Sequence, residues 1–184
     1  WATVTVEVVG TNDKPVITTA VGQDTGTVIE AGNADDGTVV VGTNTAQGTL
    51  TSSDVDTDAK ATWSGNKDGV YGSFAIGADG KWIYTLSNTA ADKLAEGETK
   101  TETFTATVTD DKGATATQVV TMKVTGTNDV PVVTSTAAAA TGTVIETGNA
   151  DDGAVVAGTP AAYGTLTSSD VDAGLYGQRG HLPQ

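Results

Sequence analysis

Apolar residues alternate with threonine and other polar residues along most of this chain. Val120, Met122 and Val124 share one parity in 115–125, as do Val4, Val6 and Val8 in 2–9. Trp82, Tyr84 and Leu86 alternate in the same way, and so do Phe104, Ala106 and Val108 in a threonine-rich run. A period of two predicts strands with one buried and one wet face. The expected strands are 25–30, 48–53, 59–63, 70–76, 81–86, 101–109 and 115–125. Ala78-Asp79-Gly80-Lys81 between two of them reads as a hairpin turn. The one helical signal is 88–94, where Asn88 or Thr89 can cap a turn before Glu96-Gly97 breaks it.

The pattern also repeats. Gly10-Thr11-Asn12-Asp13 returns at Gly126-Thr127-Asn128-Asp129, an offset of 116 residues, and Thr25–Glu30 returns at Thr141–Glu146. Thr49–Asp56 returns at Thr165–Asp172. A register kept over the whole overlap predicts tandem, domain-sized units rather than a short-period solenoid. Residues 1–12 then read as the last strand and linker of a preceding repeat, 13–126 as a complete repeat and 127–172 as the first part of the next. The segment 173–184 matches nothing in the first copy and is of unknown origin. Seven short strands per unit predict an all-β fold, a two-sheet sandwich of immunoglobulin or cadherin type in tandem repeats.

Charge narrows the chemistry. The 184 residues carry a formal charge of −14, which argues against nucleic acid or an anionic membrane as partner. Cysteine is absent, so no disulfide, thiolate nucleophile or Cys/His zinc site is available. No apolar run has the roughly 20 residues of a membrane span.

Strand parity locates the acids. If the first strand runs away from the N-terminal pole, the loops after the second, fourth and sixth strands gather at that pole. They hold Asp54, Asp56 and Asp58, then Asp79, then Asp110 and Asp111, beside the incoming linker Asn12-Asp13. The opposite pole collects Glu30, Asp35, Asp36, Glu96, Glu98 and the outgoing Asn128-Asp129. Carboxylates gathered without lysines repel one another unless a cation sits among them. Ca²⁺ fits best, because it accepts six to eight oxygens in flexible geometry, whereas Mg²⁺ demands a near-octahedral site.

Other motifs fall away. Asp54-Val-Asp-Thr-Asp58 opens like an EF-hand, but Ala59 and Gly65 stand where Gly and Glu are needed. The glycine-rich stretches lack a phosphate-loop lysine, and the lone His181 makes no triad. Trp63, Trp82 and Tyr84 could stack on sugar, but their alternation in strands favours core packing. No catalysis is expected.

Gly126-Thr-Asn-Asp-x-Pro131, Asp54-Val-Asp56, Tyr71-Gly-Ser-Phe74, Ala78 through Ala90 and Gly97 through Gly113 together resemble the VCBS and cadherin-like repeats of giant bacterial RTX-type adhesins. The resemblance spans 1–172. It implies a secreted or cell-surface protein exported by type I secretion, whose sandwiches project distal binding domains for cell adhesion or biofilm formation. It also implies calcium binding between neighbouring repeats of the same chain. Asn12, Asp13, Asp54, Asp56 and Asp110 would serve one junction. Glu30, Asn128, Asp129, Asp170 and Asp172 would serve the next, with Glu146 as the copy of Glu30. The longer loop 30–37 departs from the pattern and leaves Asp35 and Asp36 without an assigned role. The alternative function is a repeat that itself binds glycan or another surface ligand with calcium. Head-to-tail self-association through the strand 1–9 is a further expectation.

Overall fold

The computed structural model describes residues 1–34 and 36–172, so Asp35 and the divergent segment 173–184 lie outside the described residues. The chain divides into two compact units, Trp1–Asn128 with Asp172, and Asp129–Val171.

In the first unit the strands are β1 (Val16–Ile17), β2 (Thr25–Ile29), β3 (Gly32–Asn33), β4 (Val39–Val40), β5 (Thr45–Thr49) and β6 (Ser52–Ser53). They are followed by β7 (Ala61–Ser64), β8 (Lys67–Asp68), β9 (Gly72–Ile76), β10 (Lys81–Leu86), the short helix α1 (Asn88–Ala91), β11 (Thr99–Asp110) and β12 (Thr115–Thr125). Two four-stranded sheets, β5-β10-β9-β8 and β2-β12-β11-β7, form the sandwich. Every pairing within them is antiparallel except that of β2 with β12.

The core follows the alternation. Trp82, Tyr84 and Leu86 of β10 point inward with Phe74 and Ile76 of β9. They meet Phe104, Ala106 and Val108 of β11 and Val120, Met122 and Val124 of β12. Phe74 stacks on Phe104 with centroids 5.1 Å apart, and Trp82 and Tyr84 flank this pair at 5.9 and 5.7 Å. Each such side chain contributes about 1.5–3 kcal/mol on burial. The indole N–H of Trp82 donates to the Gln23 carbonyl at 2.8 Å, so no polar atom is stranded by burying the ring.

The hairpin between β9 and β10 closes through a type I turn followed by a left-handed glycine. Gly80 N–H donates to Gly77 C=O, Gly77 N–H donates to Lys81 C=O, and Gly80 has φ +82°. A Cβ there would lie 2.2 Å from the Leu50 carbonyl oxygen. Only glycine meets both demands.

Three expectations need correction. The strand expected at 48–53 is two strands. β5 runs along β10, whereas β6 pairs with β1. Between them the buried Leu50 gives its N–H to Gly80 C=O, which takes the chain off the first ladder. Residues 1–9 form no strand, and Val4, Val6 and Val8 are exposed, because no described strand lies beside them. Helix α1 is preceded by Ser87, and neither Asn88 nor Thr89 caps it. The Asn88 amide is held elsewhere, accepting from Ala31 N–H at 2.8 Å and donating to Ala31 C=O and to Asp92.

The second unit contains β13 (Val132–Val133) paired with β16 (Ser168–Ser169), and β14 (Gly148–Asn149) paired with β15 (Val155–Val156). At the offset of 116 these reproduce the β1–β6 and β3–β4 pairs. A short 3-10 turn, Ala137–Ala140, completes the unit's elements. No four-stranded sheet is present among its described residues.

Candidate metal centre

The inner row of β11 runs Glu102, Phe104, Ala106, Val108, Asp110, an apolar centre with a carboxylate at each end. The two ends are satisfied differently.

At the Glu102 end the carboxylate is enclosed by donors. Oε1 accepts from the backbone N–H of Val70 and of Tyr71, and Oε2 accepts from Tyr84 O–H at 2.5 Å. Burial, with the adjacent Glu102 charge, holds the Tyr84 hydroxyl above the usual tyrosine range. This end is a structural lock. The strand parity that directs Phe104 inward also directs Glu102 inward, so the sequence carried the signal.

At the other end Asp110 is buried and lies where the β11–β12 turn meets the incoming linker. Its Oδ1 accepts from the N–H of Lys112 and of Ala114, and its Oδ2 accepts from Asn12 Nδ2 at 3.0 Å. The Asn12 bond and those backbone N–H groups hold its carboxyl below the usual range against the effect of burial. Asp56 Oδ2 accepts from Asp13 N–H at 2.8 Å, and Asp54 Oδ1 accepts from Asp56 N–H at 3.0 Å. Five of the residues singled out in the sequence therefore meet at one pole, linked by hydrogen bonds.

One oxygen of this pole stands apart. Asp54 Oδ2 is buried and has no hydrogen-bond partner. Burying a bare carboxylate oxygen is costly unless something positive satisfies it. No three carboxylate oxygens of this pole lie within 4.8 Å of one another among the described residues. The segment 54–58, which carries Asp54 and Asp56, is a loop. That loop carries Asp58 at φ +59°.

The pole is not free of lysine. Lys112 contacts Asp111 at 2.8 Å and is held above the usual lysine range, first by Asp111 and then by Asp110 and Asp56. Asp79 is bonded to Lys81 at 2.6 Å. Asp79 and Asp111 thus carry their own counter-charge, which leaves Asp13, Asp54, Asp56, Asp58 and Asp110 as the acids of this pole outside these ion pairs.

At the far pole of the same unit Glu30 is fully buried. Its Oε2 accepts from Thr127 N–H at 3.1 Å, and its backbone N–H donates to Thr125 C=O. Asn128 C=O accepts from Asn33 N–H at 2.6 Å, so the outgoing linker is pinned to the loop after Glu30. Asp92 brings a carboxylate oxygen within 4.8 Å of that of Glu30. Asp92 was not anticipated, although it lies four residues after Asn88 and so on the same side of a helical turn. Two carboxylates this close favour a cation between them. Glu96 is exposed, and Glu98 is held by Lys100 at 2.7 Å. Asp36 caps its own loop by accepting from Thr38 N–H.

In the second unit Asp129 is half-buried, and Glu146 and Asp170 are exposed. Asp172 is buried.

Paired antiparallel sheets, a parallel β2–β12 contact, acidic poles and linkers of the form Asn-Asp define a cadherin-like sandwich module. The bacterial cadherin-like domain family matches residues 12–126, and the chain belongs to that family. No curated protein matches it. Modules of this kind are typically structural rather than enzymatic, and they suggest an extracellular or surface setting. No helix among the described residues is long and apolar enough to cross a membrane.

Proposed function

We propose that this chain is a calcium-rigidified extender repeat of an extracellular bacterial adhesin of RTX type, exported by type I secretion. Its task is to project distal binding domains for surface attachment or biofilm formation. The observation that carries the calcium reading is Asp54 Oδ2, buried without a hydrogen-bond partner among oxygen donors. The donor set is all oxygen and strongly acidic, as Ca²⁺ prefers.

Asn12, Asp13, Asp54, Asp56 and Asp110 would hold one ion at the incoming pole. Glu30 and Asp92 would contribute at the outgoing pole. Asn128 and Asp129 follow directly on Thr127, which is bonded to Glu30. Asp170, Asp172 and Glu146 belong to the proposed junction sets by their place in the repeat. The ion supplies positive charge that cancels carboxylate repulsion at each linker. The chain's own residues do the positioning, since backbone N–H groups fix Asp54, Asp56 and Asp110 by their other oxygens. A linker relieved of repulsion and tied by shared ligands stiffens, and a row of stiff linkers makes a rod.

The glycan-binding alternative needs exposed aromatics beside the ion. Trp63, Trp82 and Tyr84 are all buried, which weighs against it.

Thermal melting in chelator and in millimolar calcium tests the reading. Extracellular modules bind with dissociation constants of about 0.1–1 mM, and tenfold excess adds about 1.4 kcal/mol per site. Calcium should raise the melting temperature, equal magnesium should do much less, and Asp54→Ala should blunt the response. Superimposable curves would sink it. On two complete repeats in series, small-angle scattering should show lengthening with calcium that Asp129→Ala shifts to higher concentration.

A further inference from the structure

The chain enters the first unit at one pole and leaves it at the other. Asn12 is bonded to Asp110 beside the turn that starts β12, and Thr127 follows the far end of β12. The eleven residues of β12 at about 3.3 Å each put these points roughly 35 Å apart. Between them the first long strand, β2, lies parallel to the last, β12, with Thr25 opposite Thr121 and Ile29 opposite Thr125. Tension arriving through Asn12 draws β2 by its start, and tension arriving through Thr127 draws β12 by its end. Parallel strands pulled in this way slide past each other, and every bond between them carries load at once. Were the pair antiparallel, the two pulled ends would lie side by side and the bonds would open one at a time.

Both ends of the pair are locked beyond the strands themselves. At the start, Gln118 Nε2 donates to Asp24 Oδ2 at 2.9 Å, and Thr121 N–H donates to Asp24 C=O at 2.9 Å. At the end, Thr127 gives its N–H to Glu30 Oε2 at 3.1 Å and its hydroxyl to Glu30 C=O at 3.3 Å. The other edge of β2 is held too, because Ile29 and Thr43 exchange backbone bonds of 2.9 and 2.7 Å. Gly26 permits this close seating, since a Cβ there would lie 2.6 Å from Met122 Cε and 2.8 Å from Ala46 Cβ. By contrast, β1 pairs with β6 over two residues, so it yields before β2 does.

We propose that the β2–β12 pair, closed by Gln118–Asp24 at one end and Glu30–Thr127 at the other, is a shear clamp. It makes the first unit resist tension applied from pole to pole and yield readily to tension that peels the two strands from one end. That pole-to-pole tension acts on the protein rests on the extender reading, whereas the clamp rests on strand direction alone.

Single-molecule pulling on the full chain tests it, with handles on introduced cysteines because the sequence has none. Thr11→Cys with Val130→Cys loads the two strands from opposite ends. Val39→Cys with Val130→Cys loads both from the outgoing end. Each further bond that must break in the same step lengthens the lifetime by about fivefold. At one matched force in chelator, the first handle pair should therefore hold the unit at least about tenfold longer than the second. Gln118→Ala should shorten the pole-to-pole lifetime by about fivefold. It should leave the same-end lifetime unchanged, because peeling from the outgoing end is decided before Gln118 is reached. Equal lifetimes in the two geometries overturn the proposal, and so does a Gln118→Ala protein that shortens both equally or neither. Repeating the series in millimolar calcium separates the two readings. A direction-dependent lifetime with no calcium response in force or melting keeps the clamp and removes the calcium-rigidified extender. Equal lifetimes with melting still raised by calcium do the reverse.

Discussion

Asn12 and Asp110 stand 98 residues apart in sequence and 3.0 Å apart in space, the amide of one bonded to the carboxylate of the other. The bond ties the incoming linker to the turn between the two longest strands. It also places an acid whose backbone partners are already fixed at the pole that holds Asp54 and Asp56.

Asn12→Ala removes both a tie and an amide oxygen from the proposed calcium set. Loss of such a supporting group typically costs about 10–100-fold in metal affinity. The calcium midpoint for thermal stabilisation should rise by about tenfold, on top of a modest fall of the melting temperature in chelator from the lost bond to Asp110. An unchanged midpoint removes Asn12 from the site.

Acid should weaken the calcium-free fold. Asp110 is held below the usual range chiefly by Asn12, and Asp36, Asp79, Asp111 and Glu98 are lowered by their own hydrogen-bonded partners. A lowered folded value means stability present above the unfolded value, about pH 4, and lost as pH falls through the folded value. Melting temperature in chelator should therefore decline below about pH 4, and the Asn12→Ala protein should show a shallower decline. The comparison is read by circular dichroism across a pH series.

Alkali should act through Tyr84. Its hydroxyl is raised first by burial and then by Glu102, so its contribution is complete below the unfolded value near pH 10 and is lost as pH rises toward the folded value. Urea unfolding of the wild type should show stability falling above about pH 10, and Tyr84→Phe should flatten that limb. At neutral pH Tyr84→Phe should cost about 1–2 kcal/mol, because Glu102 keeps its two backbone donors.

The repeat contains its own packing control. Leu50 is 1% exposed and its copy Leu166 is 68% exposed. Leu50→Ala should cost about 2–5 kcal/mol in urea unfolding of the first unit. Leu166→Ala should change stability by no more than about 0.5 kcal/mol. Equal losses would mean that the second copy is packed like the first.

Much of the sandwich was legible because its strands alternate with period two. Residues 81–86 and 115–125 appear with the expected bounds, and β11 extends the expected 101–109 by a few residues. The two-residue strands β1, β3, β4 and β8 were not foreseen, since two residues hold no period. At the incoming pole, strand parity sufficed to bring Asn12, Asp13, Asp54, Asp56 and Asp110 together, because reversing strands return alternate loops to one end. Asp92 escaped, because it follows a helical turn, where parity says nothing. The three-donor enclosure of Glu102 escaped too, because it depends on where the 69–71 loop folds.

The sequence by itself determined the period, the alternation, the turn glycines and the charge, and these are local properties. Thr25–Glu30 and Thr141–Glu146 show what it could not determine, for the two segments are identical. The first is a strand with Val28 and Glu30 fully buried, and the second has Val144 and Glu146 exposed. A strand's hydrogen bonds are completed by its neighbour, and β12 accompanies the first copy while no described strand accompanies the second. The same holds for Val4, Val6 and Val8, whose alternation matches that of β12 but which pair with no described strand. Which face is buried, and which carboxylate is enclosed, was therefore decided only when the second strand arrived.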